Sequence, residues 1–199
     1  MNGNALKEFY GNPKTEILSI TLVITVGYAF LLLMPGLVGG MVDNLGLTTK
    51  QAGWVASSQM FGMMLGTLSA LGLRRCCPTL TLMISFAGLT ALMDFASVFA
   101  ASAEMLIWVR FASGMAAGVT TGIAAAAIAG MRQPDRAAAI IFAAQFFFGM
   151  LGLALLPQIR LFGGMKGAFV FLALLSLLVV ITLVSLRANI ILPKNWTVV

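Results

Sequence analysis

Six long apolar runs, separated by short polar segments, account for most of the chain. Each run is close to the roughly 20 residues that an α-helix needs to cross the hydrocarbon core of a bilayer. The pattern predicts an all-α integral membrane fold with six transmembrane helices, at about 17–42, 51–73, 79–100, 105–130, 137–157 and 167–186. Residues 1–16 and 187–199 are more polar, and we expect a cytoplasmic leader and a cytoplasmic tail there.

Local signals refine these boundaries. Asn12-Pro13 predicts that no helix continues through the leader, and Pro35-Gly36 predicts a bend in the first helix. Thr48 and Gln51 have the spacing of a capping box, which would start the second helix. Residues 158–166 predict a loop between the fifth and sixth helices.

The composition supports a membrane protein and excludes several other classes. The 199 residues are 60% hydrophobic and 9% charged, and they include no histidine, so a Ser-His membrane protease is excluded. No basic run exceeds Arg74-Arg75, so the net charge of +6 does not form a nucleic-acid patch. The two cysteines are adjacent, which gives no metal spacing. We expect no enzymatic activity, no cofactor and no metal.

Lysine and arginine are unequally divided between alternate loops, and this bias sets the orientation of membrane helices. One side carries three of them, Lys50, Arg160 and Lys166. The other side carries eight: Lys7, Lys14, Arg74, Arg75, Arg132, Arg136, Arg187 and Lys194. The bias predicts a multi-pass protein of the plasma or inner membrane with both termini in the cytoplasm.

The fourth predicted helix combines a charge with small residues. Arg110 lies inside this apolar run, and small residues follow it at four-residue spacing: Gly114, Gly118, Gly122, Ala126 and Gly130. Residues four apart share a helix face, so the spacing predicts an edge where another helix packs closely. Gly62 and Gly66 form a similar step in the second helix.

Two segments resemble motifs of the major facilitator superfamily of transporters. Residues 110–118 are similar to the fourth-helix motif of that family, an arginine followed by regularly spaced glycines. Residues 66–75 resemble its loop motif at Gly66, Leu68, Arg74 and Arg75, although Ala70 stands where the family has an acidic residue. The resemblance covers the first six of the twelve usual helices. It implies one half of the family's fold, built from two inverted three-helix repeats.

Asp94 and Arg110 are the two charges inside the predicted spans, and both lie roughly 9 Å below the outer face. An ion pair between them is within geometric reach and would be mostly structural. Unpaired, Arg110 would instead face a cavity and hold an anionic substrate, as the resemblance implies. The sequence leaves both arrangements open.

The resemblance implies a secondary transporter, a symporter or antiporter, that moves a small solute by alternating access. Helices 1 and 4 would line the path, with Arg110 as the polar anchor and Asp94 as the one buried acid for coupling. Tyr28, Gln59 and Gln145 are further candidates for hydrogen bonds to the solute. The alternative is a membrane scaffold or assembly subunit that does not transport, or a decayed half-transporter.

A lone six-helix half would need a partner in the bilayer. We expect that it would turn Arg110 and Gln145 toward lipid, which is costly. It would also leave the glycine edge of the fourth helix without a close neighbour, unless helices of its own bundle cover that edge. The hypothesis therefore includes pairing with a second six-helix half or with a second copy in parallel orientation.

The charge bias predicts that tags placed at residue 2 and after Val199 are both cytoplasmic. Protease and antibody accessibility in intact cells and in inverted vesicles measures this directly. Access to either tag from outside the cell would contradict the six-helix topology.

Overall fold

The computed structural model describes residues 13–76, 79–129, 131 and 133–186, and these residues form helices joined by short turns, with no strand among them. The helices are α1 (Pro13–Gly27), α2 (Ala29–Leu32), α3 (Met34–Leu45), α4 (Thr49–Cys76), α5 (Thr79–Ala96), α6 (Ala103–Ala129) and α7 (Pro134–Leu186), with a 3₁₀ turn at Ser97–Phe99 between α5 and α6. The all-α prediction is confirmed.

The first predicted helix is divided into α1, α2 and α3. The interruptions lie at Tyr28 (φ −92°, ψ 2°) and Leu33 (φ −95°, ψ 1°), in the sparsely populated region between helix and strand. Proline has no N–H to donate within a helix, and Pro35 lies two residues after the second interruption. The expected irregularity near Pro35 is thus present as a local change of dihedral angles at Leu33, and i→i−4 hydrogen bonds still join Leu33 to Ala29 and Leu37. The helix begins earlier than predicted, at Pro13, since proline is well tolerated in a first helical turn.

The start of α4 has the predicted capping box. The Thr48 N–H donates to Gln51 Oε1 at 2.9 Å, and the Gln51 N–H donates to Thr48 Oγ1 at 3.2 Å. These two bonds satisfy N–H groups that have no partner within the helix. The chain reaches this point by a left-handed turn at Gly46 (φ 65°), which ends α3.

The predicted loop at 158–166 is wrong. Helix α7 continues through Pro157 and changes direction at one residue, Gly164 (φ 60°, ψ −155°). A side chain is strongly disfavoured at that backbone conformation, so glycine is required there. The fifth and sixth predicted helices are therefore present as two helices that meet at Gly164, and the predicted loop is reduced to that residue.

Within the described residues, three helical stretches are long and apolar enough to cross a membrane: 79–99, 103–129 and 134–185. The apolar part of α1, Ile17–Gly27, is shorter than a span. Helix α4 has sufficient length, but glycine, serine, threonine and glutamine are frequent in its sequence.

Helices α4 and α6 pack with their backbones in contact. A Cβ atom added to Gly66 would overlap the carbonyl of Met115, and one added to Gly114 would overlap the backbone of Gln59. Across the same contact, Ser58 Oγ donates to the Ile107 carbonyl at 3.0 Å and Thr67 Oγ1 to the Gly118 carbonyl at 3.2 Å. Gly62, Gly118 and Gly122 complete the contact, so the neighbour of the predicted glycine edge is α4.

The apolar core has two clusters with a polar layer between them. Along α7, Leu172 belongs to one cluster and Val179 to the other, with buried Ser176 between them. Along α6, Leu106 and Val119 belong to the two clusters. The fold thus brings the polar residues of α5, α6 and α7 to one level of the bundle.

Replacing Gly66 with alanine should lower the free energy of unfolding by about 1–3 kcal/mol, because the new methyl group has no room against the α6 backbone. Gly72 is the matched control: it lies on the same helix with open space around its Cα. Gly72→Ala should be neutral or stabilising by up to about 1 kcal/mol, since alanine favours helix. Thermal or denaturant unfolding of the purified variants measures both, and equal losses would contradict the close contact.

Candidate functional site

The polar layer is centred on Arg110, which lies about two turns from the start of α6. Its side chain is 0% exposed. The guanidinium carbon lies 5.0 Å from the ring centroid of Phe30 on α2 and 5.6 Å from that of Phe169 on α7. Aromatic faces attract a cation at such distances, so both rings help to stabilise the buried charge.

Asp94 is the ion-pair partner of Arg110. One carboxylate oxygen, Oδ1, accepts hydrogen bonds from Arg110 Nη2 and from Ser113 Oγ, the latter at 2.8 Å. The other, Oδ2, accepts from Ser176 Oγ at 2.8 Å. One carboxylate therefore connects α5, α6 and α7. Of the two arrangements that the sequence left open, the structure has the paired one.

The local sequence explains why these groups meet. Asp94 lies near the end of α5, and the turn through Ser97–Phe99 reverses the chain so that α6 packs against α5. Ser113 is three residues after Arg110 and so lies on the same face of α6. The carboxylate then receives a charged donor and a hydroxyl from one helix face.

Several buried polar atoms in the described part of the chain have no hydrogen-bond partner: Nε and Nη1 of Arg110, Oε1 of Gln59 and Oγ1 of Thr25. An unsatisfied buried donor or acceptor costs about 1–3 kcal/mol. Arg110 therefore satisfies its charge through Asp94 but keeps N–H groups that another acceptor can use. The two Arg110 nitrogen atoms without a hydrogen-bond partner are the strongest chemical feature of the site.

The other predicted path residues do not bond to Arg110. Gln59 is 5% exposed and packs its backbone against Gly114, and Gln145 is 9% exposed on α7. Tyr28 is half-buried at the first interruption and packs against the apolar cluster of α1. The structure brings Arg110 and Asp94 together and leaves these three residues apart from the ion pair.

The predicted loop-motif residues have different surroundings. Gly66 lies in the contact between α4 and α6, and Arg74 is half-buried in the last turns of α4. The side chain of Arg75 falls outside the described residues. An interaction between the loop arginines and an acidic residue stays a prediction.

Sequence reasoning missed four residues of the site: Phe30, Ser113, Phe169 and Ser176. Ser113 had a signal, since it shares a helix face with Arg110. The two phenylalanines and Ser176 lie in apolar runs where many residues have the same character. Their role depends on which helices become neighbours, and periodicity does not specify that.

The expectation that a lone half would expose its polar groups is wrong. Arg110 and Gln145 are both buried inside the described chain. The glycine edge is covered by α4, and a Cβ atom at Gly27 of α1 would overlap the Thr121 methyl group of α6. Helices of the same chain therefore bury the two polar residues, and they cover the glycine edge, as the alternative expectation allowed.

A small cavity of about 20 Å³ lies beside the network, enough for about one water molecule. Ser176 connects it to the ion pair, since the Ser176 hydroxyl donates to Asp94. The lining residues are Val23, Val26, Gly27, Ala87, Thr90, Ala117, Thr120, Ser176 and Val179.

No known family model matches the chain, and no curated protein is similar enough to it to give a match.

Replacing Arg110 alone with alanine should destabilise the protein by about 3–5 kcal/mol, because the buried Asp94 carboxylate loses its countercharge. Replacing both residues, as Arg110→Ala with Asp94→Asn, should recover much of the expression and stability. Asp43→Asn is the matched control: it breaks only the more exposed pair with Arg160 and should cost about 0–1 kcal/mol. Yield and unfolding of the purified variants test this. An Arg110→Ala protein as stable as wild type would show that the ion pair is not structural.

Proposed function

We propose that the chain is a polytopic membrane protein of six helical spans. Large apolar side chains point away from the bundle: Trp108 is 71% exposed, Phe146 76% and Phe162 93%. Polar and charged side chains such as Arg110 and Asp94 lie inside. Monomeric soluble proteins rarely present extended apolar patches to water, whereas lipid is a suitable solvent for such a surface.

We further propose that it is a secondary transporter for a small solute, similar to the N-terminal half of a major facilitator transporter. The observation that carries this proposal is Arg110, a fully buried cation with two nitrogen atoms that have no partner. Charged groups inside a membrane bundle are expensive and usually mark a substrate or ion path. A solute that carries a hydrogen-bond acceptor would supply the missing partner.

The backbone interruptions near the site support alternating access. The backbone dihedral angles depart from those of a helix at Tyr28 and Leu33, on either side of Phe30, whose ring covers Arg110. Helix α7 bends at Gly164, five residues before Phe169. Discontinuous helices at the level of a central site are typical of transporters. Movement at these points would separate Phe30 and Phe169 and open the guanidinium to one side of the membrane.

A second six-helix unit, either another polypeptide or a parallel copy of this chain, would complete the family's architecture. Because the chain buries Arg110 and the glycine edge by itself, the partner would contact its apolar exterior. A purified protein whose mass in mild detergent corresponds to two copies would support this form, and a stable monomer that transports would exclude it.

A structural role, as a membrane scaffold or assembly subunit, is the second candidate. Two observations favour it: the ion pair is closed, with only a small cavity beside it, and Ala70 stands where the family's loop motif has an acidic residue. A buried ion pair alone is weak evidence for function. Transport by the purified chain separates the two candidates.

Arg110→Lys tests the transport proposal with little disturbance of charge. Lysine keeps the countercharge for Asp94 but lacks the Nε and Nη1 donors. Vesicles that contain the purified chain and are loaded with mixed small metabolites should lose at least one solute faster than empty vesicles, as measured by mass spectrometry. Arg110→Lys should slow this loss at least about tenfold, the effect of removing roughly 1.4 kcal/mol of interaction.

Arg160→Lys is the control, because it makes the same change at an ion pair outside the polar layer, and it should transport at the wild-type rate. Equal loss from wild-type and empty vesicles would favour the structural role. Equal rates for wild type and Arg110→Lys would exclude Arg110 as the anchor.

A further inference from the structure

Helices α4 and α6 run in the same direction, and the contacts between them determine which residues share a level of the bundle. The Ser58 hydroxyl donates to the Ile107 carbonyl, 49 residues further along the chain. The backbone of Gln59 lies against Gly114, 55 residues further along. A residue of α4 is therefore level with the residues that follow 49 to 55 positions later on α6.

This register brings together the two tryptophans of the described chain. Trp54 is level with residues 103–109, the segment that contains Trp108. Both side chains are more than half exposed. Neither indole N–H donates to an acceptor among the described residues. One end of the bundle therefore presents two apolar rings to its surroundings, each with an N–H that can donate to an external acceptor.

The surface around each tryptophan changes from charged to apolar along the helix. Lys50 lies four residues before Trp54. Glu104 lies four residues before Trp108. Each charge is therefore one turn nearer the helix start on the same face as its tryptophan, and both charged side chains are exposed. In the opposite direction along α4, the exposed large side chains are all apolar: Met60, Phe61, Met64, Leu68 and Leu71.

The apolar surface beyond the tryptophans has the thickness of a bilayer core. The next charged residue on α4 is Arg74, which follows Trp54 by 20 residues, or about 30 Å of helix. From Trp108 to the end of α6 at Ala129 the helix has a similar length, and the one charge between them, Arg110, is buried. The hydrocarbon core of a typical bilayer is about 30 Å thick.

We propose that the lipid headgroup region of one leaflet surrounds the bundle at Trp54 and Trp108, and that the hydrocarbon core extends from there to Arg74. Tryptophan is enriched at this interface, because its ring enters the apolar region while its N–H donates to water or to lipid oxygen atoms. This inference rests on the proposed membrane insertion and specifies its depth. It also assigns α4 as a span, which its length and composition alone do not.

The placement puts the polar layer near one membrane surface. Arg110 follows Trp108 by two residues, so its Cα atom is about 3 Å further along the helix axis. The middle of the hydrocarbon core lies about 15 Å beyond Trp108, level with Gly118. The ion pair with Asp94 is therefore close to one headgroup region, and the glycine contact between α4 and α6 occupies the middle of the membrane.

Exposed phenylalanines occur at other levels and provide a control for depth. Phe146 lies in the first arm of α7, 12 residues after its start at Pro134 and 18 residues before the kink at Gly164. Its side chain is exposed, and the same placement puts it inside the hydrocarbon core. Phe146→Trp, in a chain whose three native tryptophans are phenylalanine, is therefore the matched control.

Quenching of tryptophan fluorescence by brominated lipids measures this depth. Two full-length variants keep one native tryptophan each: Trp108→Phe with Trp196→Phe, and Trp54→Phe with Trp196→Phe. Each is reconstituted into phosphatidylcholine vesicles whose bromine atoms lie either close to the headgroups or close to the acyl chain ends. Bromine close to the headgroups should quench both tryptophans at least about twofold more strongly, because the indoles lie at the interface. Phe146→Trp should show the opposite order.

Stronger quenching of Trp54 or Trp108 by bromine at the chain ends would overturn the placement and leave the membrane proposal intact. The absence of quenching by both lipids would overturn both. Trp196→Phe alone keeps the two indoles and gives their combined depth if a double variant fails to fold. The expected quenching in vesicles that lose no solute would support the placement and exclude the transporter role.

Discussion

The Asp94 carboxylate is the interaction on which the rest of the bundle depends. It accepts hydrogen bonds from three side chains on two other helices, and one donor is the fully buried Arg110. Neither charge is stable there without the other, because removal of one leaves a buried charge uncompensated. The helices are therefore held in register at the polar layer, and the two apolar clusters pack on either side of it.

Close backbone packing gives that layer its geometry. The glycines of α4 and α6 allow the two helices to touch, which places the first turns of α6, with Arg110, in the centre of the bundle. The two aromatic rings that cover the guanidinium lie near irregular backbone, Phe30 between Tyr28 and Leu33 and Phe169 five residues after the kink at Gly164. A closely packed pair of helices therefore faces segments with irregular backbone across the polar layer.

The sequence was informative where a local rule determines structure. The capping box at Thr48, the bend near Pro35 and the small-residue edge after Arg110 each follow from spacing or from the chemistry of one residue. The prediction of a nine-residue loop at 158–166 from its glycines and the preceding proline was wrong. The chain changes direction at Gly164 alone. Phe30, Phe169 and Ser176 could not be found in this way, because their role depends on the tertiary arrangement. Because the sequence does not specify which helices become neighbours, it also did not reveal that Arg110 and Gln145 are buried by helices of the same chain.

Alternating access in this chain requires that the closed polar layer opens to water on each side of a membrane in turn, and labelling of a buried residue tests this most directly. In a variant whose two native cysteines are replaced, a cysteine at Thr120, which is buried and lines the small cavity, can be exposed to a membrane-impermeant thiol reagent. The reagent is applied to right-side-out and to inverted vesicles. We predict reaction from both sides, at rates that change when a transported solute is added. Complete protection from both sides would contradict alternating access and leave the chain with a structural role.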